Sequence, residues 1–138
     1  MSFDVHSLHH VTIPVRDLER SRRFYGGLLG LEELERPSFG FPGAWYALGD
    51  GQLHLIADGG GTYRADARVD SRDAHFAIRV ESFDEALAVL RSNGYDENAG
   101  DARLAIKVDR HSTTGFPQLY LADPDGHVIE INAATLDV

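Results

Sequence analysis

The sequence predicts an α+β fold in which two βαβββ modules follow one another along the chain. A strand pattern of the form H-φ-x-I-x-V, where φ is an apolar residue, occurs at 10–15 and again at 75–80. Each copy is followed at once by a helix pattern, and each helix by strand-like segments that end in a hairpin. A period of about 65 residues that occurs only twice indicates a duplicated half-domain rather than a solenoid.

Both strand patterns lead into a segment with helical spacing. In the first module Asp17 is a candidate N-cap. In the second, Ser82 and Glu85 form a capping box ahead of an apolar stripe. Gly30 and Gly94 mark the expected helix ends, because glycine readily adopts the left-handed conformation that closes many helices.

Three strand-like segments make up the rest of each module. They span 31–35, 44–48 and 52–57 in the first module, and 104–109, 118–122 and 128–132 in the second. The last two strands of each module are joined by a hairpin turn that contains Asp-Gly. Counted from these turns, Tyr46 matches Tyr120 and His54 matches Glu130.

The repeat also sets the expected domain boundaries. A single domain is expected over 7–134, with module one at about 7–58, a polar and glycine-rich linker at 59–73, and module two at about 74–134. One module cannot bury both faces of its sheet. We therefore expect two modules, from one chain or from two, to close into a curved sheet with helices outside and a cup inside.

The composition excludes several classes of function. The chain has 138 residues and a net charge of −9, which argues against partners with phosphate backbones or anionic lipid surfaces. It has no cysteine, so a disulfide scaffold, a thiolate zinc site and a cysteine nucleophile are excluded. With no secretory signal pattern and no apolar run as long as a membrane span, we expect a cytoplasmic protein.

Four strand residues at equivalent places in the repeat are candidate metal ligands. Strand side chains alternate between faces, so His10 and His75 lie opposite the apolar residues of their strands, and His54 and Glu130 are each flanked by apolar neighbours. All four are therefore expected to point to the concave side. Three imidazoles and one carboxylate suit a single Zn, Ni, Co, Fe or Mn ion rather than Ca or Mg.

Other polar and aromatic residues are candidates for roles near that ion. His111 is by default a loop histidine, but it is well placed to overhang the cup. Tyr120 has the strand parity of the cup side, where it would act in catalysis or simply pack. Phe39, Phe41 and Trp45 form an aromatic cluster, which we interpret as core or as a dimer contact.

Three segments resemble the vicinal oxygen chelate superfamily, which includes glyoxalases, bleomycin-resistance proteins and extradiol dioxygenases. They are LHHVTIPVRDLERSRRFYGGLLGLE, DAHFAIRV and QLYLADPDGHVIEIN, and the resemblance covers about residues 7–134. It implies paired βαβββ modules around one divalent ion that chelates two adjacent oxygens of a small substrate. It also implies a homodimer, and it assigns the ligand positions to His10, His54, His75 and Glu130.

Within the superfamily the chain departs from glyoxalase I at three positions. That subfamily has glutamate where this chain has His54, an arginine for glutathione where it has Pro14, and asparagine where it has Asp58. These departures argue against a glutathione hemithioacetal as substrate. Bleomycin-binding relatives lack the ligand set.

Extradiol dioxygenases resemble the chain in a different way. Their three metal ligands correspond to His10, His75 and Glu130, and a second group of catalytic residues corresponds to His54, His111 and Tyr120. Those enzymes normally carry an extra pair of modules that this chain lacks.

Coordination number separates these functions. An octahedral ion with four protein ligands retains two positions, enough for two substrate oxygens in a lyase or isomerase reaction through an enediolate. A dioxygenase needs three open positions, so His54 would then be a general base. Because His54 is equivalent to Glu130, we favour the lyase or isomerase, with Glu130 or a group near it as the base. A dioxygenase is the alternative, followed by a non-catalytic binder of small molecules or antibiotics.

Overall fold

A computed structural model describes all 138 residues, and the chain divides into two compact units, Met1–Gly61 and Thr62–Val138. Each unit contains one four-stranded mixed sheet and one main helix. The predicted α+β fold is confirmed. None of the helices has the length and apolar character that crossing a bilayer requires.

The first unit builds its sheet in the order β1-β4-β3-β2. Its elements are β1 His10–Pro14, α1 Leu18–Arg22, a π-helical turn Arg23–Leu28, β2 Glu33–Leu34, β3 Gly43–Leu48 and β4 Gly51–Ile56. β1 is parallel to β4, and the other pairs are antiparallel. The strand expected at 31–35 is present, but it is only two residues long.

The second unit repeats this arrangement in the order β5-β8-β7-β6. Its elements are β5 His75–Val80, α2 Phe83–Ser92, a 3-10 turn Ala102–Leu104, β6 Lys107–Asp109, β7 Gln118–Ala122 and β8 Val128–Ala133. β5 is parallel to β8, as β1 is to β4. The segment expected as one strand at 104–109 is split, because its first residue closes the 3-10 turn.

Strand register makes the two sheets equivalent residue by residue. Thr12 lies opposite His54 in the first sheet, and Ala77 lies opposite Glu130 in the second. Thr12 and Ala77 each follow the strand's first histidine by two residues. His54 and Glu130 therefore occupy the same position of the repeat.

The match of Tyr46 with Tyr120 is wrong by one residue. Trp45 lies opposite His54, whereas Tyr120 lies opposite Glu130, so Trp45 is the equivalent of Tyr120. The hairpin turns differ in length, since the first closes on Leu48–Gly51 and the second on Ala122–Val128. Counting from the turn therefore shifts the register, and in a strand a shift of one residue moves a side chain to the other face.

The helices begin and end where their capping residues lie. The Asp17 side chain accepts from the backbone N–H of Arg20, and the Ser82 hydroxyl accepts from that of Glu85 at 3.1 Å. Gly94, with φ of 91°, follows α2, and the next N–H folds back onto the helix. The first helix differs from expectation, because α1 loosens into the π-helical turn after five residues.

Each unit has its own apolar core between helix and sheet. The fully buried large side chains include Tyr25, Tyr46, Leu53 and Leu55 in the first unit and Phe83, Leu87, Leu90, Leu119, Leu121 and Ile129 in the second. On β4 and β8 these residues flank His54 and Glu130, which alternation directs to the opposite face. The candidate site residues thus lie on the sheet face that the helix does not cover.

Candidate functional site

In the second unit, an imidazole nitrogen of His75 and a carboxylate oxygen of Glu130 face each other. Nε2 of His75 lies 3.3 Å from Oε1 of Glu130. Nδ1 of His75 lies 2.6 Å from the backbone carbonyl oxygen of Asp73. A carbonyl oxygen only accepts, so Nδ1 carries a proton, and in the neutral imidazole Nε2 then holds a lone pair. A lone pair and a carboxylate oxygen at this distance need a cation between them, which is either a proton on Nε2 or a metal ion.

This donor set fits a divalent metal ion. Metal-binding histidines commonly donate their second ring N–H to a backbone carbonyl or a carboxylate, which fixes the tautomer and the ring orientation. His75 has this arrangement through Asp73. One imidazole nitrogen and one carboxylate oxygen are the ligand types that zinc, manganese and related ions accept.

Glu130 is held as an anion by its neighbours. The residue is only 5% exposed, and its Oε2 accepts from the Asn132 amide at 2.5 Å. Burial by itself raises the pKa of Glu130, but hydrogen bonds from Asn132, Gln118 and Tyr120 and the charge of His75 outweigh it, so the pKa lies below its ordinary value. The carboxylate is therefore ionised at neutral pH without any metal.

Tyr120 completes this group of side chains. It lies opposite Glu130 in the sheet, and its ring meets the His75 ring edge-on at 5.4 Å. Burial, followed by its hydrogen bond to Glu130, raises the pKa of Tyr120 to about 12. The hydroxyl therefore keeps its proton and donates a hydrogen bond to the carboxylate.

In the first unit, His54 lies between two other rings. Its ring centroid is 4.2 Å from that of His10 and 4.0 Å from that of Trp45, with interplanar angles of 17° and 5°. Nε2 of His54 donates to the Gln52 side-chain oxygen at 2.8 Å, which leaves the lone pair on Nδ1. Burial, then the nearby charges of His10, His9 and Arg36, lowers the pKa of His54. The side chain is therefore neutral at neutral pH.

The stacking limits how His10 and His54 can act together. An imidazole binds a metal through a lone pair that lies in the plane of the ring. The two ring planes are nearly parallel and stacked one above the other, so no nearby point lies in both. As they are oriented, only one of the two rings can bind a given ion, and a second bond requires one ring to rotate.

The four predicted ligands are thus found as two pairs, His10 with His54 and His75 with Glu130. Within the chain no three His, Cys, Asp or Glu side chains are grouped closely enough to hold a metal ion. The four-ligand site stays a prediction. His111 is exposed in the turn after β6, where its backbone N–H bonds to the Asp109 carboxylate.

Sequence reasoning missed the neutral side chains that support these pairs. Gln52, Gln118 and Asn132 share the strand parity of His54, Tyr120 and Glu130, and that parity was the signal that could have identified them. Asp73 was assigned to the linker. It contacts His75 through its backbone carbonyl, which every residue has, so its sequence identity could not indicate this role.

The chain matches the family model of the glyoxalase/bleomycin resistance protein/dioxygenase superfamily over residues 7–131. Among curated relatives, it is 32% identical over 133 residues to "Glyoxylase I 4" of Arabidopsis thaliana, covering 91% of this chain and 69% of that protein. It is 28% identical to "Glutathione transferase FosA" of Serratia marcescens, covering 94% and 82% of the two chains.

Solved structures share the fold. A putative glyoxalase family protein from Bacillus anthracis superposes with a TM-score of 0.75 at 23% identity, covering 96% of this chain and 98% of that one. The fosfomycin resistance protein FosX from Listeria monocytogenes, as a variant complexed with Mn(II) and 1S,2S-dihydroxypropylphosphonic acid, gives 0.70 at 20% identity, with 96% and 95% coverage. Because the family model matches residues 7–131, most of the chain, the protein belongs to the glyoxalase/bleomycin resistance protein/dioxygenase superfamily.

Proposed function

We propose that the protein is a divalent-metal-dependent enzyme that binds a small substrate through two adjacent oxygens and catalyses a lyase or isomerase reaction of the glyoxalase type. The observation that carries the proposal is the His75–Glu130 pair, in which an imidazole nitrogen and a carboxylate oxygen 3.3 Å apart face each other across a position suited to a cation. The 32% identity to a protein named glyoxylase I adds support.

The proposed ligands are His75 and Glu130 together with His10 and His54, in a homodimer as the family resemblance implies. Residues of both βαβββ modules would then contribute to each ion, which is Zn, Ni, Co, Fe or Mn. Because His10 and His54 are stacked, binding by all four requires one of these two rings to turn. A bound ion supplies Lewis-acid polarisation of the two substrate oxygens.

Glu130 is the proposed base that moves a carbon-bound proton of the substrate. In the resting network three hydrogen bonds stabilise its ionised form and make it a weak base. Loss of any of these bonds on substrate binding raises its proton affinity, because each stabilises only the charged form. Tyr120, whose hydroxyl stays protonated, holds the carboxylate in place until then.

A second candidate function follows from the stacking of His54. If neither ring turns and His10 is the one that binds, an octahedral ion would have three protein ligands, His10, His75 and Glu130, and three open positions. That arrangement suits a ring-cleaving dioxygenase, with His54 as a neutral general base, Tyr120 close to Glu130, and His111 assisting. It also suits group transfer of the kind named for the Fos relatives.

The test measures proton exchange directly. Metal-free protein is reloaded with each of the five ions and incubated in deuterated water with α-hydroxycarbonyl and α-ketoaldehyde compounds, and NMR follows loss of the carbon-bound proton. We expect exchange with at least one ion, and its abolition in Glu130→Gln but not in the exposed-site control Arg72→Gln. Oxygen uptake with catechols, or a thiol adduct with a phosphonate epoxide, in place of exchange would instead establish the second candidate.

A further inference from the structure

Arg79 lies on the same sheet face as Glu130, the candidate base, and uncharged groups hold its side chain in place. It follows His75 by four residues on β5, so the two side chains share a face. Its Nε donates to the Asn132 side-chain oxygen at 2.6 Å, and its guanidinium carbon lies 4.7 Å from the centre of the Phe116 ring. Neither terminal nitrogen bonds to a protein acceptor, and no carboxylate lies within ion-pair distance.

The other arginines of this unit are used differently. Arg64, Arg68 and Arg72 each place a terminal nitrogen within 2.9 Å of an aspartate oxygen. Such pairs cancel the charge that a ligand would otherwise meet. At Arg79 an amide oxygen and an aromatic face orient the guanidinium but leave its charge and both terminal N–H groups available.

We propose that Arg79 binds the anionic group of the substrate, a carboxylate or phosphonate, while the reacting carbons lie at Glu130. This inference rests on the proposed function and names its substrate class. A planar guanidinium with two free terminal nitrogens matches two oxygens of such a group. The chain carries a net charge of −9, so an anionic substrate is repelled overall and needs a localised cation at its binding position.

Asn132 sets the distance between the two ends of the substrate. Its oxygen accepts from Arg79, and its nitrogen donates to Glu130. Nε of Arg79 and Oε2 of Glu130 are therefore separated by two hydrogen bonds and one carboxamide, or about 7 Å when these lie in line, and the terminal nitrogens of Arg79 lie about 2 Å beyond Nε. Once contact distances at both ends are allowed for, the substrate is a short anion of about three to five carbons.

The binding test uses metal-free protein and no turnover. Methylphosphonate and acetate are titrated into wild-type protein, Arg79→Gln and the control Arg72→Gln, with calorimetry for affinity and the Arg79 Nε–H NMR signal for location. We expect saturable binding by wild type and Arg72→Gln in the millimolar range, and binding by Arg79→Gln at least tenfold weaker. The Arg79 signal should shift on saturation.

Equal binding by wild type and Arg79→Gln, or no saturable binding by wild type, overturns the proposal. Unchanged circular dichroism and melting of Arg79→Gln exclude misfolding as the cause of a loss. With a substrate in hand, the ratio of kcat/KM for the anion to that for its neutral amide should fall at least tenfold in Arg79→Gln. An equal loss for both compounds would make Arg79 structural. Anion binding is measured without metal, so its result does not depend on catalysis. The protein could prove to be an active enzyme in which Arg79 binds no anion, or an inactive protein in which Arg79 does bind one.

Discussion

Arg64 donates to the carboxylate of Asp73 at 2.8 Å, and the backbone carbonyl of that same aspartate accepts from Nδ1 of His75 at 2.6 Å. Arg64 also donates to the carbonyl oxygens of Arg68 and Gly126, each at 2.7 Å. The stretch that composition identifies as a linker is thus tied to the β7–β8 turn and to the histidine at the start of β5. A loop arginine thereby helps to fix the orientation of a proposed metal ligand.

Replacing Arg64 with glutamine should weaken metal binding without removing any ligand. Loss of the ion pair leaves Asp73 with its hydrogen bonds to Asp70, so the carbonyl that fixes the tautomer of His75 is held less firmly. We expect about a tenfold loss of affinity, the lower end of what residues supporting a metal ligand contribute. Competition titration with a chelating dye measures it, and nitrogen chemical shifts of His75 report the tautomer.

Arg64→Lys should recover part of the affinity, because it keeps the charge next to Asp73 but not the three hydrogen bonds. Arg72→Gln, which removes an exposed ion pair of the same segment, is the matched control. Unaltered metal affinity and His75 shifts in Arg64→Gln would show that Asp73 holds His75 without help.

Glu130 should make the metal-free protein sensitive to acid. Its folded-state pKa lies below its ordinary value of 4.5, so its contribution to stability is complete above about pH 4.5 and is lost as pH falls through the folded pKa. Urea unfolding of wild type between pH 6 and 3 should show this loss. The loss should be smaller in Glu130→Gln, and equal slopes for the two proteins would contradict the hydrogen-bonded anion seen here.

His54 should add a separate pH dependence at higher pH. Burial lowers its folded-state pKa below 6.5, so its contribution is complete above about pH 6.5 and is lost as pH falls through the lowered value. His54→Phe keeps a flat ring between His10 and Trp45 but cannot be protonated. We expect the melting temperature of wild type to fall more steeply than that of His54→Phe between pH 7 and 5. Parallel curves would mean that His54 is not buried as a neutral ring.

Strand periodicity predicted which face each candidate residue occupies, because alternation is a property of the backbone and does not depend on context. It did not predict side-chain torsions, so the stacking of His54 between His10 and Trp45 was invisible in the sequence. Turn length was not predicted either. Because the second turn is longer, counting residues from the turns matched Tyr120 with Tyr46 instead of Trp45.

Capping residues were predicted well, because they act on backbone groups only three positions away. Ser82 accepts from the Glu85 N–H and also donates to Asp137, so Ser82→Ala should destabilise the protein by about 1 kcal/mol. Chemical unfolding measures the change. Ser92→Ala, at the opposite end of α2, is the control and should change stability by less than about 0.5 kcal/mol.

Trp45 is the only tryptophan of the chain, and its stacking on His54 makes its fluorescence a probe of the metal geometry. If His54 is a fourth ligand, a stacked ring has to turn, because the parallel rings of His10 and His54 cannot share one ion. When the ring that turns is that of His54, it leaves the face of Trp45.

Addition of Zn(II), which does not itself quench by a paramagnetic route, should then change Trp45 emission in wild type with one-to-one stoichiometry. His54→Ala should bind the ion more weakly, with no comparable change in emission. Stoichiometric binding that leaves wild-type emission unaltered would show that His54 stays stacked on Trp45, so that a fourth bond would require His10 to turn instead. Unaltered emission together with equal metal affinity of wild type and His54→Ala would support the three-ligand site that suits dioxygenase or transferase chemistry.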